Sequence, residues 1–349
     1  LHNLQDQILQ QNPESLILAL AVQNQMLVLP ATCRDQNQAE AIVNFMESDL
    51  LQAHYAHHNT TILTGIASNA LVLAALFDKE LSRENPDWLK VRNLFDHIIV
   101  ACRIKTIDQC ITQLLAKHPE ILTATNRDGY TPLHLAIRAS QTDIAIHLIH
   151  VLGNRENTDA LISYLTRAIV SGQTDIANHL IDTIASIDPD ALIKQNENGT
   201  TLLHSAIVTG QTDIATNHLI DTIVTINPNA LTIITQEYNT GCTWSPEPHN
   251  KTPLYLAIVT GKTHIAIHLI NIIHEKKLSA LIAQDHRGDI PLHLAIEKGQ
   301  TDIAKHLINT ILSTNPGALI TKNRCGYVLK CDSYNPLDLA IKDGKIDIA

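Results

Sequence analysis

The chain has 349 residues, of which 45% are apolar and 17% charged, and it carries a formal charge of −10 at neutral pH. This balance excludes a disordered chain, and the negative charge works against a phosphate-binding surface. The longest near-continuous apolar run, ALVLAALF at 70–77, is far too short to span a membrane.

Residues 1–93 read as helical without a clean register. The stretch NTTILTGIASNALVLAALF (59–77) fits either a worn copy of the unit found further along the chain or a distinct helical cap. In HYAHH, His54 and His58 lie one helical turn apart, but no carboxylate stands between them as in a zinc-binding helix, so a metal site is disfavoured. A Cys33 nucleophile paired with a histidine from 54–58 is disfavoured too, because no strand-turn-helix nucleophile motif surrounds it. Segment 94–125 contains HIIVACRIKTIDQCITQLLAKHPEIL (97–122), which predicts an irregular helix pair.

From residue 126 onward a long unit repeats. Its clearest copies are NRDGYTPLHLAIRASQTDIAIHLI (126–149), NENGTTLLHSAIVTGQTDIATNHLI (196–220) and DHRGDIPLHLAIEKGQTDIAKHLI (285–308). Looser copies start at 250 and 335, and one around YLTRAIVSGQTDIANHLI (164–181) lacks the Gly-Thr-Pro opening. The shared alanine falls at 136, 168, 206, 257, 295 and 340, a solenoid-like period stretched by insertions. Asp-Gly or Asn-Gly suits a tight turn, and Thr131-Pro132 reads as an N-cap followed by proline at the first helical position. Leu133, Leu135, Ala136 and Ile137 give a short helix an apolar face, and Gly172, Gly210, Gly261, Gly299 and Gly344 stop that helix in a left-handed conformation. The threonine of QTDIA is expected to cap the next helix, with the following aspartate complementing its dipole.

DGYTPLHLAI (128–137) and GDIPLHLAI (288–296) closely resemble the ankyrin-repeat signature. The resemblance covers residues 126–349 well and the preceding residues less well. It implies an all-α repeat solenoid, an ankyrin-type helix-turn-helix stack with short β-hairpin tips. Residues 126–349 would hold about six units, the last of them truncated. One departure from the family recurs: IDTIASIDPDALI (181–193), IDTIVTINPNALT (220–232) and INTILSTNPGALI (308–320) predict extended second helices ending at a proline. QNPESLI (11–17) carries the same tag, which places the start of the chain inside a second helix.

In an ankyrin stack the scaffold positions recur and the variable ones bind. The candidate partner-binding residues are therefore those just before each helix stop: Arg138, Val170, Val208, Val259, Glu297 and Lys342. They read as an apolar strip, Val170–Val208–Val259, flanked by charges. Two insertions at hairpin tips, 236–250 and 325–335, add Tyr238, Trp244, Tyr327 and Tyr334 as interface anchors. By the same resemblance, His134, His204 and His293 bond to backbone and threonine hydroxyls. His147, His179, His218, His268 and His306 likewise take structural places. The six cysteines form no CxxC pair, which suits a reducing compartment. Neither a Cys325–Cys331 bridge nor a metal clip through Cys242 displaces free thiols as the default.

The resemblance implies recognition of a protein partner through the concave face and hairpin loops. It implies no enzyme, no catalytic residue, no cofactor and no metal. No nucleic acid, no membrane insertion and a monomeric chain are expected. The Asn/Gln/Ile/Lys flavour and the long second helices resemble the secreted ankyrin-repeat effectors of intracellular bacteria, which implies a cytosolic environment, in the host cell after secretion. The alternative is a targeting domain of a larger enzyme, because the chain starts at Leu1 and stops inside a motif copy. A non-repetitive domain beyond Ala349 would favour it.

Overall fold

The computed structural model describes residues 70–101, 104–153, 158–233, 252–285, 288–323, 333–345 and 347–348. Among these residues the secondary structure is helical and contains no strand. The chain divides into two compact units, Leu1–Leu152 and Gly153–Ala349.

In the first unit, α1 (Ala70–Leu81), α2 (Trp88–Ala101), α3 (Ile104–Lys117), α4 (Pro132–Arg138) and α5 (Thr142–Leu152) form helix pairs. α2 packs on α4 and α3 packs on α5, so first and second helices make two rows. Two polar clusters fix the joints. The buried carboxylate of Glu80 meets Lys90 Nζ at 2.8 Å and Arg83 at 3.2 Å, and it accepts from the Asp87 amide, which closes the α1–α2 turn. The buried Arg92 guanidinium donates to the carbonyls of Ile121, Ala124 and Tyr130 and to Asp96 Oδ1. Asp96 Oδ2 in turn accepts from Asn126 Nδ2. Burial raises the Asp96 pKa, and the Arg92 charge opposes that rise.

The second unit begins with α6 (Thr158–Ser171) and α7 (Thr174–Ile187), followed by α8 (Leu202–Thr209). Next, α9 (Thr212–Ile214) runs through a π-helical turn, Ala215–Leu219, into α10 (Ile220–Ile226). The remaining helices are α11 (Pro253–Val259), α12 (Thr263–Glu275), α13 (Pro291–Glu297), α14 (Thr301–Thr314) and α15 (Pro336–Lys342). The first helices α6, α8, α11, α13 and α15 pack in succession. Leu165, Ala168 and Ile169 and their equivalents Leu203, Ala206 and Ile207, then Leu254, Ala257 and Ile258, are buried between the rows. Each leucine or isoleucine so buried contributes about 1.5–3 kcal/mol.

The glycine after each first helix ends it in a Schellman motif. Gly172 N–H donates to Ile169 O and Gln173 N–H to Ala168 O, and the same pair of bonds recurs at Gly210, Gly261, Gly299 and Gly344. These glycines lie at φ between 66° and 75°, where a Cβ is strained. Ser140 fills the same place at φ 55°. The glycine serves a second purpose between repeats. A Cβ on Gly172 would fall 3.1 Å from the Gln211 side chain, and one on Gly210 would fall 2.6 Å from Lys262 Nζ. Gln300 and Lys345 cover Gly261 and Gly299 in the same way. The Gln or Lys of each hexapeptide thus lies over the glycine of the preceding copy.

One expectation about this hexapeptide is corrected. The threonine does not cap the second helix; it is the first helical residue, and the N-cap is Gln173, Gln211, Lys262 or Gln300, none of which makes a side-chain capping bond. Gln211, at φ −79° and ψ 76°, centres an inverse γ-turn in which Thr212 N–H donates to Gly210 O. Thr263 and Thr301 repeat that bond. The Schellman motif leaves the chain one residue too early for threonine to reach the cap position. Asp175, Asp213 and Asp302 do sit in the first turn, where the helix dipole favours them.

The second helices α7 and α14 run fourteen residues and stop at Asp188 and Asn315, each followed by proline and a 3₁₀ turn. Leu192 is buried within the first of these turns. The π turn has a sequence cause: 210–220 reads GQTDIATNHLI against GQTDIANHLI at 172–181, one residue longer. One residue added inside a helix becomes an i→i+5 turn, which returns Leu219 and Ile220 to the buried row that Leu180 and Ile181 occupy.

Replacing Ser140 by glycine is expected to stabilise the fold by about 1 kcal/mol, and Gly261→Ala to destabilise it by about 1–2 kcal/mol, because only glycine tolerates this φ without strain. Urea unfolding midpoints check both. Deleting Thr216 restores the spacing of the 172–181 copy. A melting point equal to or above that of the wild type is the expected result.

Candidate partner-binding surface

The residue just before each helix stop lies on the last turn of a first helix. Its backbone is held by the Schellman bonds, and its side chain points away from the core. Val170 and Val208 are each 59% exposed and Val259 is 38% exposed, on adjacent helices α6, α8 and α11. Val170 and Val208 are therefore open to solvent rather than packed against neighbouring helices. Glu297 and Lys342 take the same place on α13 and α15. Arg138 takes it on α4, in the first unit.

Sequence reading missed another member of this set. In α2, Phe95, Ile98 and Ile99 are buried at the spacing of Leu133, Ala136 and Ile137, which puts Val100, 53% exposed, in the slot of Arg138. The signal was the apolar spacing, and the missing glycine after Ala101 hid it.

The tips are hydrogen-bonded turns. Asn126 N–H donates to Tyr130 O, and Asn126 Oδ1 accepts from the amides of Asp128 and Tyr130. Asn196 with Thr200 and Asp285 with Asp289 close the next tips in the same manner. The last tip uses the same closure at longer range: Asn323 N–H donates to Tyr334 O, and Tyr334 N–H donates to Asn323 Oδ1 at 2.8 Å. The bonds join the two ends of the inserted segment. Tyr238, Trp244 and Tyr327 lie outside the described residues, as do Cys33, Cys242, Cys325, Cys331 and His54–His58.

Two of the flanking charges are engaged with tip aromatics. The Arg138 guanidinium lies 5.3 Å from the centre of the Tyr130 ring, and Lys342 Nζ lies 4.2 Å from that of Tyr334. These cation–π contacts hold each tip over the end of its own first helix. Sequence reading listed Tyr334 and Lys342 as separate contributors, whereas the structure makes them one feature.

The tip histidines hold the framework. His134 and His204 complete capping boxes with Thr131 and Thr201, their Nδ1 atoms 3.0 and 2.7 Å from the threonine oxygens. His293 accepts from the Ile290 amide at Nδ1, and its Nε2–H donates to Tyr334 O of the next unit at 3.1 Å. That pattern requires the neutral ring, and burial pushes the His293 pKa below its usual 6.5. The nearby Asp289 is pushed upward by burial, opposed by the bond from Asn323 Nδ2. In the second-helix row, His218 Nε2 sits 2.8 Å from Asp182 and His306 Nε2 sits 2.7 Å from Asn271 Oδ1. His268 is 3.6 Å from Asp221, too long for a hydrogen bond. In the first unit His147 meets Asp108 at 3.1 Å. These exposed pairs link successive repeats and contribute little individually.

Among the described residues no cluster of His, Cys, Asp or Glu could hold a metal ion, and no helix is long and apolar enough to cross a membrane. Comparison with known families finds a match to ankyrin repeats (3 copies) at residues 98–191 and 223–317, just over half of the chain. Among solved structures, the ankyrin repeat domain of Bcl-3, a member of the IkappaB protein family, is similar at 17% identity. The match covers 73% of this chain and 96% of that one, with a TM-score of 0.48. An ankyrin repeat domain from Acinetobacter baumannii AYE is similar at 21% identity, covering 62% of this chain and 96% of that one, with a TM-score of 0.44. No match is found among curated proteins.

Because the folded His293 pKa lies below 6.5, the unfolded chain takes up the proton first on acidification. The contribution of His293 is therefore fully present above pH 6.5 and is lost as pH falls toward the lowered folded value. Asp289, raised in the fold, works in the opposite direction at lower pH. His293→Gln keeps an acceptor at the capping position but does not titrate. The stability of the wild type minus that of this variant is expected to decline below pH 6.5 in chemical denaturation.

Proposed function

The chain belongs to the ankyrin-repeat family, whose repeats are protein-interaction modules and typically non-catalytic, and from that premise we propose where it binds. The partner lies along the first-helix row, with its apolar residues on Val170, Val208 and Val259 and its polar residues toward Glu297 and Lys342. Arg138 takes the equivalent place in the first unit, and the tip aromatics Tyr238, Trp244, Tyr327 and Tyr334 add contacts from the loops. The supporting observation is that adjacent packed helices expose valine at the same position, one that neither the core nor the helix stop needs. The charge of −10 supports a protein partner over nucleic acid. In the same reading the chain is monomeric, with no cofactor and no catalysis of its own.

The finer reading is a bacterial effector acting on a host protein in the host cytosol. Its composition and prolonged second helices support this, and a translocation reporter retained inside the bacterium would count against it.

The surface is tested by capture of interacting proteins with the wild type, Val208→Asp and Leu312→Asp. Leu312 is a 50% exposed apolar residue on the second-helix row. Loss with Val208→Asp alone is expected; equal capture by all three chains overturns the assignment.

A further inference from the structure

In the unit spanning α6 and α7, helix occupies the positions that form a tip in the described neighbouring units. From α4 onward the other described first helices are only seven or eight residues long, capped by threonine or asparagine or opened by proline, whereas α2 in the first unit is as long as α6. Here the first helix runs fourteen residues, Thr158–Ser171, and its first turns stand where a tip would be. Tyr164 is buried at the place of Pro132, and Thr166 stands at the place of His134, since no helix start needs capping there. The missing tip leaves a cavity of about 830 Å³ beside the tip 194–201, walled by α6, the 3₁₀ turn Pro189–Ile193 and the start of α8.

Asp159, Asp188, Asp190 and Glu197 line it, against Lys194 as the only cation among the described lining residues. Among the described residues none of these carboxylates, nor Lys194, makes a side-chain hydrogen bond or ion pair. The paired acids are local: the turn reads DPD at 188–190, but NPN at 227–229 and NPG at 315–317, and the earlier copies at 12–14 and 118–120 carry a single glutamate. The cavity is also continuous with the proposed binding row. Ile162 and Thr166 line it, and Val170 follows one helical turn further along the same face of α6. Ser205 lines it from α8, three residues before Val208.

We infer that this notch receives an arginine or lysine side chain of a partner segment whose apolar residues lie on the valine row. The site rests on the surface proposed above, and it adds a specificity element. Several unpaired carboxylates in a concavity attract a cation, whereas a second acidic or neutral polar chain would leave them unpaired.

The test uses a random dodecapeptide phage library selected on the full chain, followed by calorimetry with the enriched peptides. The key variant is Asp188→Asn/Asp190→Asn, which rewrites this turn as the NPN of 227–229 and so keeps a turn the fold already accepts. Enriched peptides are expected to carry arginine or lysine at a fixed spacing from an apolar residue. Their binding should weaken about tenfold or more on Asp188→Asn/Asp190→Asn, and with rising salt, at unchanged melting temperature. Peptides without a basic residue, or indifferent to that variant, overturn the notch; if Val208→Asp still abolishes their binding, the valine row survives. Basic peptides that need the notch carboxylates but ignore Val208→Asp support the notch and overturn the valine row. Failure to enrich any peptide overturns the notch.

Discussion

The left-handed residue that ends each first helix is the constraint on which the rest of the structure depends. Its two Schellman bonds reach back to the alanine and isoleucine of the LAI motif, so the same letters that pack the core also receive the stop. Because the turn is short and closed, the second helix must return antiparallel along the first. Because the stop carries no side chain, the Gln or Lys of the next unit can lie directly over it. One residue thus sets both the geometry inside a unit and the approach between units. Ser140 shows that the bonds can form without glycine, at the cost of backbone strain.

A stop fixed this firmly makes the other end of the unit tolerant. The tip is closed by one asparagine or aspartate bonding across the turn, and that closure is independent of what lies between its partners. Asn126 and Tyr130 enclose a short turn, whereas Asn323 and Tyr334 enclose a longer segment with the same bonds. Omission is tolerated as well: α6 extends backward in place of a tip, and Tyr164 fills the core. Even an extra residue inside a second helix is absorbed, because a π turn restores the buried face within a few residues. Apart from that π turn, these variations fall on the first-helix ends and tips, the surface we propose for binding.

The periodic parts were legible because local chemistry states them. Thr131-Pro132, the apolar spacing of Leu133, Ala136 and Ile137, and the glycine stops each have one cheap conformation, and six copies supply the register. Threonine of QTDIA was misread because its capping propensity is real, but the Schellman motif and γ-turn place it one residue past the cap. The added residue at 215–219 is a spacing difference between two copies, and it does not stand out in the sequence because each copy looks helical by itself. Val100 lay outside the glycine-based register.

By itself, the sequence determined the repeating helix pair, its stops, its prolonged second helices and which positions vary. Those are properties of a few consecutive residues, set by backbone sterics and apolar periodicity. Only the tertiary structure decided that Val170 and Val208 are exposed rather than packed, that Lys342 lies over the ring of Tyr334, and that His293 donates a hydrogen bond to the next tip. It also decided that a missing tip leaves an acidic notch against its neighbour. Each of these relates residues from different turns or different units, and such neighbours are set by how helices stack rather than by what any one segment prefers.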